Sequence, residues 1–346
     1  MEQQEHKRRV RYKGTHPRTY QEKYKELQPE KYQADVEKII RSGKTPAGMH
    51  IPICVREILE FLQIQPGQVG LDATLGYGGH TRKMLEQLRG QGRLYATDVD
   101  PIESEKTRLR LAELGYGPEI LTIRRMNFAD IDQVAPGERF DIVLADLGVS
   151  SMQIDNPDRG FTFQYDGPLD LRLDPTAGIT AARRLRELDR EELEALLVEN
   201  ADEPYAPEIA KTVTDILRRG GSLDTTRQLA AAVEDALTFL PANERKEAVK
   251  KSCQRTFQAL RIDVNSEFEA LYAFLDKLPA VLKSGGRAAI LTFHSGEDRL
   301  VKKAFQQFYR QGIYSDIARE VIRPSAEECF RNPRARSTKM RWAIRA

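Results

Sequence analysis

Beyond residue 50 the apolar positions fall into regular periods. Val55, Ile58, Leu59 and Leu62 recur at helical spacing, so Val55–Leu62 reads as an amphipathic helix, closed by Pro66-Gly67. Val69–Thr74 is a short apolar run and reads as a strand. Thr81–Leu88 reads as a helix, Arg93–Thr97 as a second strand, Ser104–Leu114 as a helix, and Ile120–Ile123 and Asp141–Ala145 as further strands. Strands alternating with helices predict a parallel sheet. The alternation then stops. Roughly from 160 to 250 the period is helical, clearest in Leu185–Leu197, Ile209–Leu217 and Thr226–Leu237. The next strand is expected at Arg287–Phe293, after a helix Phe268–Leu282 that ends in Ser284-Gly285-Gly286. A gap of about 140 residues between neighbouring strands exceeds ordinary connections and must hold a unit of its own. The pattern predicts an α/β fold: a Rossmann-like, doubly wound sheet with an inserted all-helical domain.

The segment before residue 50 has no such period. Residues 1–49 are polar and hold 12 Lys/Arg against 7 Asp/Glu, whereas the rest holds 42 against 45. This segment reads as a basic extension, mobile or ordered by a partner, with helical potential at Tyr24–Ile40. The expected layout is this extension, a sheet domain in two parts (50–158 and 253–346), and the helical insertion between them (159–252), assigned to substrate recognition. Arg331, Arg334, Arg336, Lys339, Arg341 and Arg345 give the last sixteen residues six basic groups and no acid. Basic ends on a near-neutral body suit a polyanion. Cys54, Cys253 and Cys329 lie far apart with no CxxC spacing, so neither a disulfide framework nor a zinc site is expected. No window is apolar enough to span a membrane and no signal peptide is evident, so a cytoplasmic protein is expected.

In an open α/β sheet ligands bind beyond the carboxyl ends of the strands. Gly76, Gly78 and Gly79 follow the first strand, where glycine lets backbone approach a ligand. Asp98 ends the second strand, placed to accept from ribose hydroxyls. A dinucleotide site wants GxGxxG, but the third glycine is missing here. The wording D-A-T-x-G-x-G-G, with Asp98 and with Asp146 after the fourth strand, favours S-adenosylmethionine over a nicotinamide cofactor.

Longer motifs are more specific. Asp72-Ala-Thr-Leu-Gly-Tyr-Gly-Gly-His80, Asp146-Leu-Gly-Val-Ser-Ser151, Arg159-Gly-Phe161 and Asp166-Gly-Pro-Leu-Asp170 occur in order. They are followed by Arg255-Thr-Phe-Gln-Ala-Leu-Arg-Ile-Asp-Val-Asn265, Phe293-His-Ser-Gly-Glu-Asp-Arg299 and Asn332-Pro-Arg-Ala-Arg-Ser337. From about His50 to the C-terminus the chain resembles the bacterial 16S rRNA (cytosine-N4)-methyltransferases of the RsmH/MraW type. Residues 1–49 fall outside the resemblance. Tyr77, Cys253 and Gly296 depart from the usual pattern of that family.

The resemblance implies a class I methyltransferase core with a helical insertion, acting on the exocyclic amine of a cytidine in small-subunit rRNA or the 30S particle. By motif position it implies cofactor binding by Gly78, Gly79, His80, Asp98, Phe128, Asp146 and Gln153. It also favours RNA contact by Arg255, Arg261, Arg334 and Arg336, while His294 and Ser295, which follow the last long strand, are expected either to line the substrate cleft or to open a capped helix with an ion pair. Cytosine N4 is a weak nucleophile because its lone pair is conjugated, so an acceptor for its N–H groups is needed; Asp146 is the candidate. Methylation at C5 would need a thiolate, and the cysteine contexts argue against it. The target base must leave its stack. Two alternatives are an amino-methyltransferase acting on another RNA or DNA base, and an RNA-binding ribosome-assembly factor that keeps the cofactor pocket without catalysis. The oligomeric state is left open, a dimer included.

Overall fold

The computed structural model describes residues 52–346. The extension expected over 1–49, with its helix at Tyr24–Ile40, lies outside the described residues. The seven strands are β1 (Val69–Asp72), β2 (Arg93–Asp98), β3 (Leu121–Arg125), β4 (Phe140–Asp146), β5 (Leu282–Thr292), β6 (Tyr314–Ile317) and β7 (Lys339–Arg345). They form one sheet in the order β3-β2-β1-β4-β5-β7-β6. β1 to β5 pair in parallel, and β7 runs antiparallel to both β5 and β6. The Rossmann-like α/β sheet is therefore present, with its direction of winding reversing between β1 and β4.

β4 shows why the sheet is covered on both faces. Val143 and Ala145 join one apolar cluster, Ile142 and Leu144 the other. The first cluster is closed by α10 (Glu267–Val281) and α11 (Ser295–Arg310), through Leu271, Phe274, Leu278, Val301 and Phe305. The second is closed by α1 (Val55–Leu62), α2 (Gly79–Leu88) and α3 (Pro101–Glu113), through Ile58, Leu62, Met84, Leu85 and Leu111.

Between the short α4 (Ser151–Asp155), which follows β4, and α10 come five helices: α5 (Ala181–Glu187), α6 (Arg190–Ala201), α7 (Ala206–Arg218), α8 (Thr226–Ala236) and α9 (Ala242–Val264). They share an apolar core of their own, which includes Leu185, Leu197, Ile209, Leu229, Phe257 and Leu260. The 252/253 division expected from the sequence falls inside α9, whose Cys253, Phe257 and Leu260 belong to this helical core.

Three expectations are corrected. Leu185–Leu197 is two helices, because Asp189 caps α6 in a reciprocal box with Glu192 and breaks the run. β5 starts at Leu282 rather than Arg287: Ser284-Gly285-Gly286 lies inside the strand, with Gly285 at φ +74° and a register shift opposite Phe140/Ile142. Half of the basic groups in the C-terminal segment, Lys339, Arg341 and Arg345, lie in β7. Arg341 is buried and pairs with Asp298 (2.6 Å), and Arg345 donates to the carbonyls of Pro279 and Ile313, so these cations serve the sheet rather than a polyanion.

Candidate functional site

Three strands end in aspartates at one edge of the sheet, and a cleft of about 360 Å³ opens there. Asp72, fully buried at the end of β1, organises the loop that follows. Its Oδ1 accepts the Thr74 N–H (3.1 Å) and its Oδ2 accepts the Thr81 hydroxyl (2.6 Å). Thr74 Oγ1 in turn accepts the backbone N–H of Asp146 (2.6 Å), locking the ends of β1 and β4 together.

Within that loop the glycines divide their work. Gly76, at φ +47°, lines the cleft; its N–H donates to Asp98 Oδ2 (2.8 Å) and its carbonyl accepts from Thr107 (2.7 Å). Gly79 also lines the cleft. Gly78 does not: it caps α2 at φ +79°, and a Cβ there would stand 2.7 Å from Thr107 Cγ2. Its positive φ and its approach to Thr107 call for glycine here on packing grounds alone.

Asp98 lines the cleft at the end of β2. Each oxygen already accepts one backbone N–H, from Gly76 and from Asp100 (both 2.8 Å), which leaves further acceptor capacity on each. Burial pushes its carboxyl up to about 6. Two residues on, Asp100 is 0% exposed and forms a hub that sequence reasoning missed. Its Oδ1 caps α3 through Ile102 and Glu103; its Oδ2 accepts from Gln153 (2.8 Å) and Arg159 (2.7 Å). Arg159 also donates to the carbonyls of Arg172 and Leu173, so it joins the β2 loop to the entrance of the helical unit. Gln153 lines the cleft, yet both ends of its amide are used, the other accepting the Ser150 N–H.

At the centre of the site, Asp146 ends β4. Its Oδ2 is 3.3 Å from His80 Nδ1, and His80 Nε2 is 2.9 Å from the Ile53 carbonyl. Asp146 Oδ1 is buried with no hydrogen-bond partner. A buried, unpartnered carboxylate oxygen is costly and calls for a ligand. A loop backbone brought to the cleft by Gly76 and the acceptor capacity left on Asp98 fit a cofactor that carries a ribose, and Asp146 Oδ1 offers a separate acceptor for an amine.

The remaining walls come from elsewhere. Phe128 follows β3 and meets Phe274 edge-on at 5.3 Å. Gln258 and Arg261 line the cleft from α9, and Asn265 from its C-terminal cap, while the other side of the helix packs in the helical core. Arg261 is held by Glu267 through two bonds of 2.8 Å, and Arg334 grips Asp155 through two of 3.0 Å. His294 caps α11 and faces Glu297. Burial works against the charge of Glu297, but His294, the Phe293 N–H and Arg261 outweigh it and hold its carboxyl below the usual range. Besides Gly78, three candidates are not among the residues lining the cleft: Arg255, 3.9 Å from buried Glu203; Ser295, facing Asp202; and Arg336, exposed. Asp100 escaped the sequence reading because its partners Gln153 and Arg159 lie in distant elements, whereas Glu267 pairs across the short turn from α9 to α10 with Arg261. Asn265 stood in a motif without an assigned role; it accepts from Leu173 and donates to Leu171 across the chain.

No cysteine lines the cleft. Burial pushes the Cys253 thiol up to about 12 and Cys54 higher still, so neither supplies a thiolate near neutral pH. Replacing Cys54, Cys253 and Cys329 together by Ala is expected to leave turnover in place in a chain shown to be folded by circular dichroism. Complete loss of turnover in that folded variant would point to covalent chemistry.

The chain resembles known proteins over nearly its whole length. The profile of the MraW methylase family matches residues 47–346. A protein of Lachnoclostridium phytofermentans named ribosomal RNA small subunit methyltransferase H 1 is 67% identical over 342 residues, covering 99% of this chain and 93% of the relative. One of the same name from Agathobacter rectalis is 64% identical over 346 residues, covering 100% and 99%. Ribosomal RNA small subunit methyltransferase H 2 of Alkaliphilus metalliredigens is 61% identical over 345 residues, covering 99% of each chain. The Agathobacter alignment runs through the N-terminal extension that the profile leaves out. Strand-ending aspartates, the glycine loop and an unpartnered acceptor in the cleft thus sit at the carboxyl ends of a largely parallel α/β sheet, and the chain belongs to the MraW methylase family.

Proposed function

We propose that this enzyme transfers the methyl group of S-adenosylmethionine to the N4 amine of a cytidine in small-subunit rRNA, with the rRNA presented in the 30S particle. The observation that carries the reading is Asp146 Oδ1, a buried acceptor without a partner at the end of β4 in a chain of this family. The cofactor supplies a methyl group already activated on a sulfonium. The chain's own residues bind, orient and take a proton. In this reading Gly76 and Gly79 bring backbone to the cofactor, Asp98 accepts from its ribose, Phe128 covers its adenine, and His80 and Gln153 hold the wall around it. Asp146 Oδ1 accepts from the amine. The helical unit supplies the opposite wall through Gln258, Arg261 and Asn265. Arg261 and Arg334 are already paired with carboxylates and act as wall residues, which leaves exposed Arg336 for phosphate.

The test is nucleoside mass spectrometry of 30S particles from a strain lacking the enzyme, after incubation with purified protein and S-adenosylmethionine. N4-methylcytidine should appear. Methyl on C5 or on another base, or no methylation of any RNA, would overturn the proposal; the last outcome would favour an assembly factor.

Asp98 gives a separate prediction. Asp98→Ala should weaken cofactor binding by about 1–3 kcal/mol, the cost of leaving ribose donors unpaired. Because its carboxyl titrates at about 6, affinity should also fall as pH drops through that value in the parent and not in the variant. Calorimetry across that range checks both; equal affinity in the two proteins would remove Asp98 from the ribose site.

A further inference from the structure

His80 is the second residue of α2, and its ring is almost sealed from solvent, 7% exposed. Nε2 lies 2.9 Å from the Ile53 carbonyl. A carbonyl can only accept, so Nε2 carries a proton. Nδ1 lies 3.3 Å from Asp146 Oδ2. A neutral imidazole has a single N–H, so a neutral ring would present a lone pair to the carboxylate. Both ring nitrogens face acceptors, and with Asp146 as a carboxylate only an imidazolium satisfies both.

We propose that His80 is a positioning residue for methyl transfer: as an imidazolium it holds Asp146 through Oδ2 and keeps Oδ1 turned to the reacting amine. The proposal rests on the reading of Asp146 given above. As the bond from N4 to the methyl carbon forms, the bond from that carbon to sulfur breaks, and the proton shed by N4 goes to Asp146 Oδ1. His80 keeps both of its protons throughout. Its work is to fix one carboxylate rotamer and to balance a negative charge that burial would otherwise make costly.

The charged groups facing the ring are Asp146 at the end of β4 and Asp72 at the end of β1; its third neighbour is the neutral Ile53 carbonyl. Burial disfavours the ring's charge, but Asp146 and Asp72 outweigh it and hold its pKa above the ordinary histidine range. The charged form therefore persists to higher pH than in an unperturbed histidine and is lost as pH rises through the raised value. Methyl transfer should show an alkaline limb there, above the value of about 6.5 of an unperturbed histidine.

The direct test is nitrogen-15 NMR of the full chain labelled at histidine, with His80→Asn used to assign one signal set among the five histidines. Both ring nitrogens of His80 should be protonated at neutral pH. His80→Asn keeps an amide donor toward Asp146 but has no titrating proton. At saturating cofactor its single-turnover rate should fall by about 10- to 100-fold, in the range for misplaced catalytic groups, and its alkaline limb should vanish. A ring protonated at Nε2 alone would overturn the proposal. So would a His80→Asn protein that matches the parent in rate and pH profile while Asp146→Asn is defective. A near-normal Asp146→Asn overturns the reading of Asp146, and the role of His80 with it, whatever the charge of the ring.

Discussion

Asp146→Asn is expected to lower the rate of methyl transfer by about 100-fold or more in single turnovers at saturating cofactor, the range for positioned proton acceptors. The substitution keeps shape and removes charge. In the parent, Oδ2 faces His80 Nδ1 at 3.3 Å and Oδ1 is free in the cleft. An asparagine has one oxygen and one NH₂. With a protonated His80 opposite, the oxygen is drawn to the ring, and the NH₂ turns toward the amine it should accept from. Two donors then meet where a donor and an acceptor are needed. Cofactor affinity is measured separately by calorimetry, so a binding defect is not mistaken for a chemical one. Near-normal single turnovers would leave Asp146 as a cofactor ligand, with catalysis resting on positioning by the backbone.

The second large effect is on stability. Arg159→Met should lower the free energy of unfolding by about 3 kcal/mol, because it leaves Asp100 charged and buried without its cation. Both partners are sealed, Arg159 with a side chain 9% exposed and Asp100 with none. The N–H groups of Ile102 and Glu103 and the amide of Gln153 still reach Asp100, which keeps the loss at the lower end for broken buried pairs. Urea unfolding followed by circular dichroism measures it. The double variant Asp100→Asn/Arg159→Met should lose less than the two single losses added, since each removes the other's stranded group. Strict additivity, or an Arg159→Met protein as stable as the parent, would show that the pair does not hold the two units together.

The sheet was legible because its strands end where the apolar runs end, and a chemical residue stands at each end: Asp72, Asp98 and Asp146. The helical unit was legible from one long stretch without β-branched runs. What escaped the sequence is pairing over distance. Nothing near Arg341 announces Asp298, so a strand arginine with a buried partner reads as part of a basic tail. Arg159 was visible as a motif residue, but its partner Asp100 sits in another element. Gly76 and Gly78 look alike in a glycine loop, and only the backbone shows that the first faces the cleft and the second seats α2 against α3. The break at Asp189, by contrast, was readable in principle, since Asp-Arg-Glu-Glu spells a capping box.

The helical unit interrupts the sheet between β4 and β5, which are hydrogen-bonded neighbours. An unfolded chain would have to close a very long loop to pair them, and such non-local contacts slow folding. The insertion has its own apolar core, so it can condense first and draw Asp146 and Leu282 toward each other. During synthesis β1 to β4 emerge before it, and β5 to β7 after it. The first four strands must therefore wait, with the β4 edge unpaired, until the helices have formed. That edge is where a nascent chain would aggregate, and an apolar-to-polar change in the helical core would be felt there first, as lost soluble yield rather than as lost catalysis.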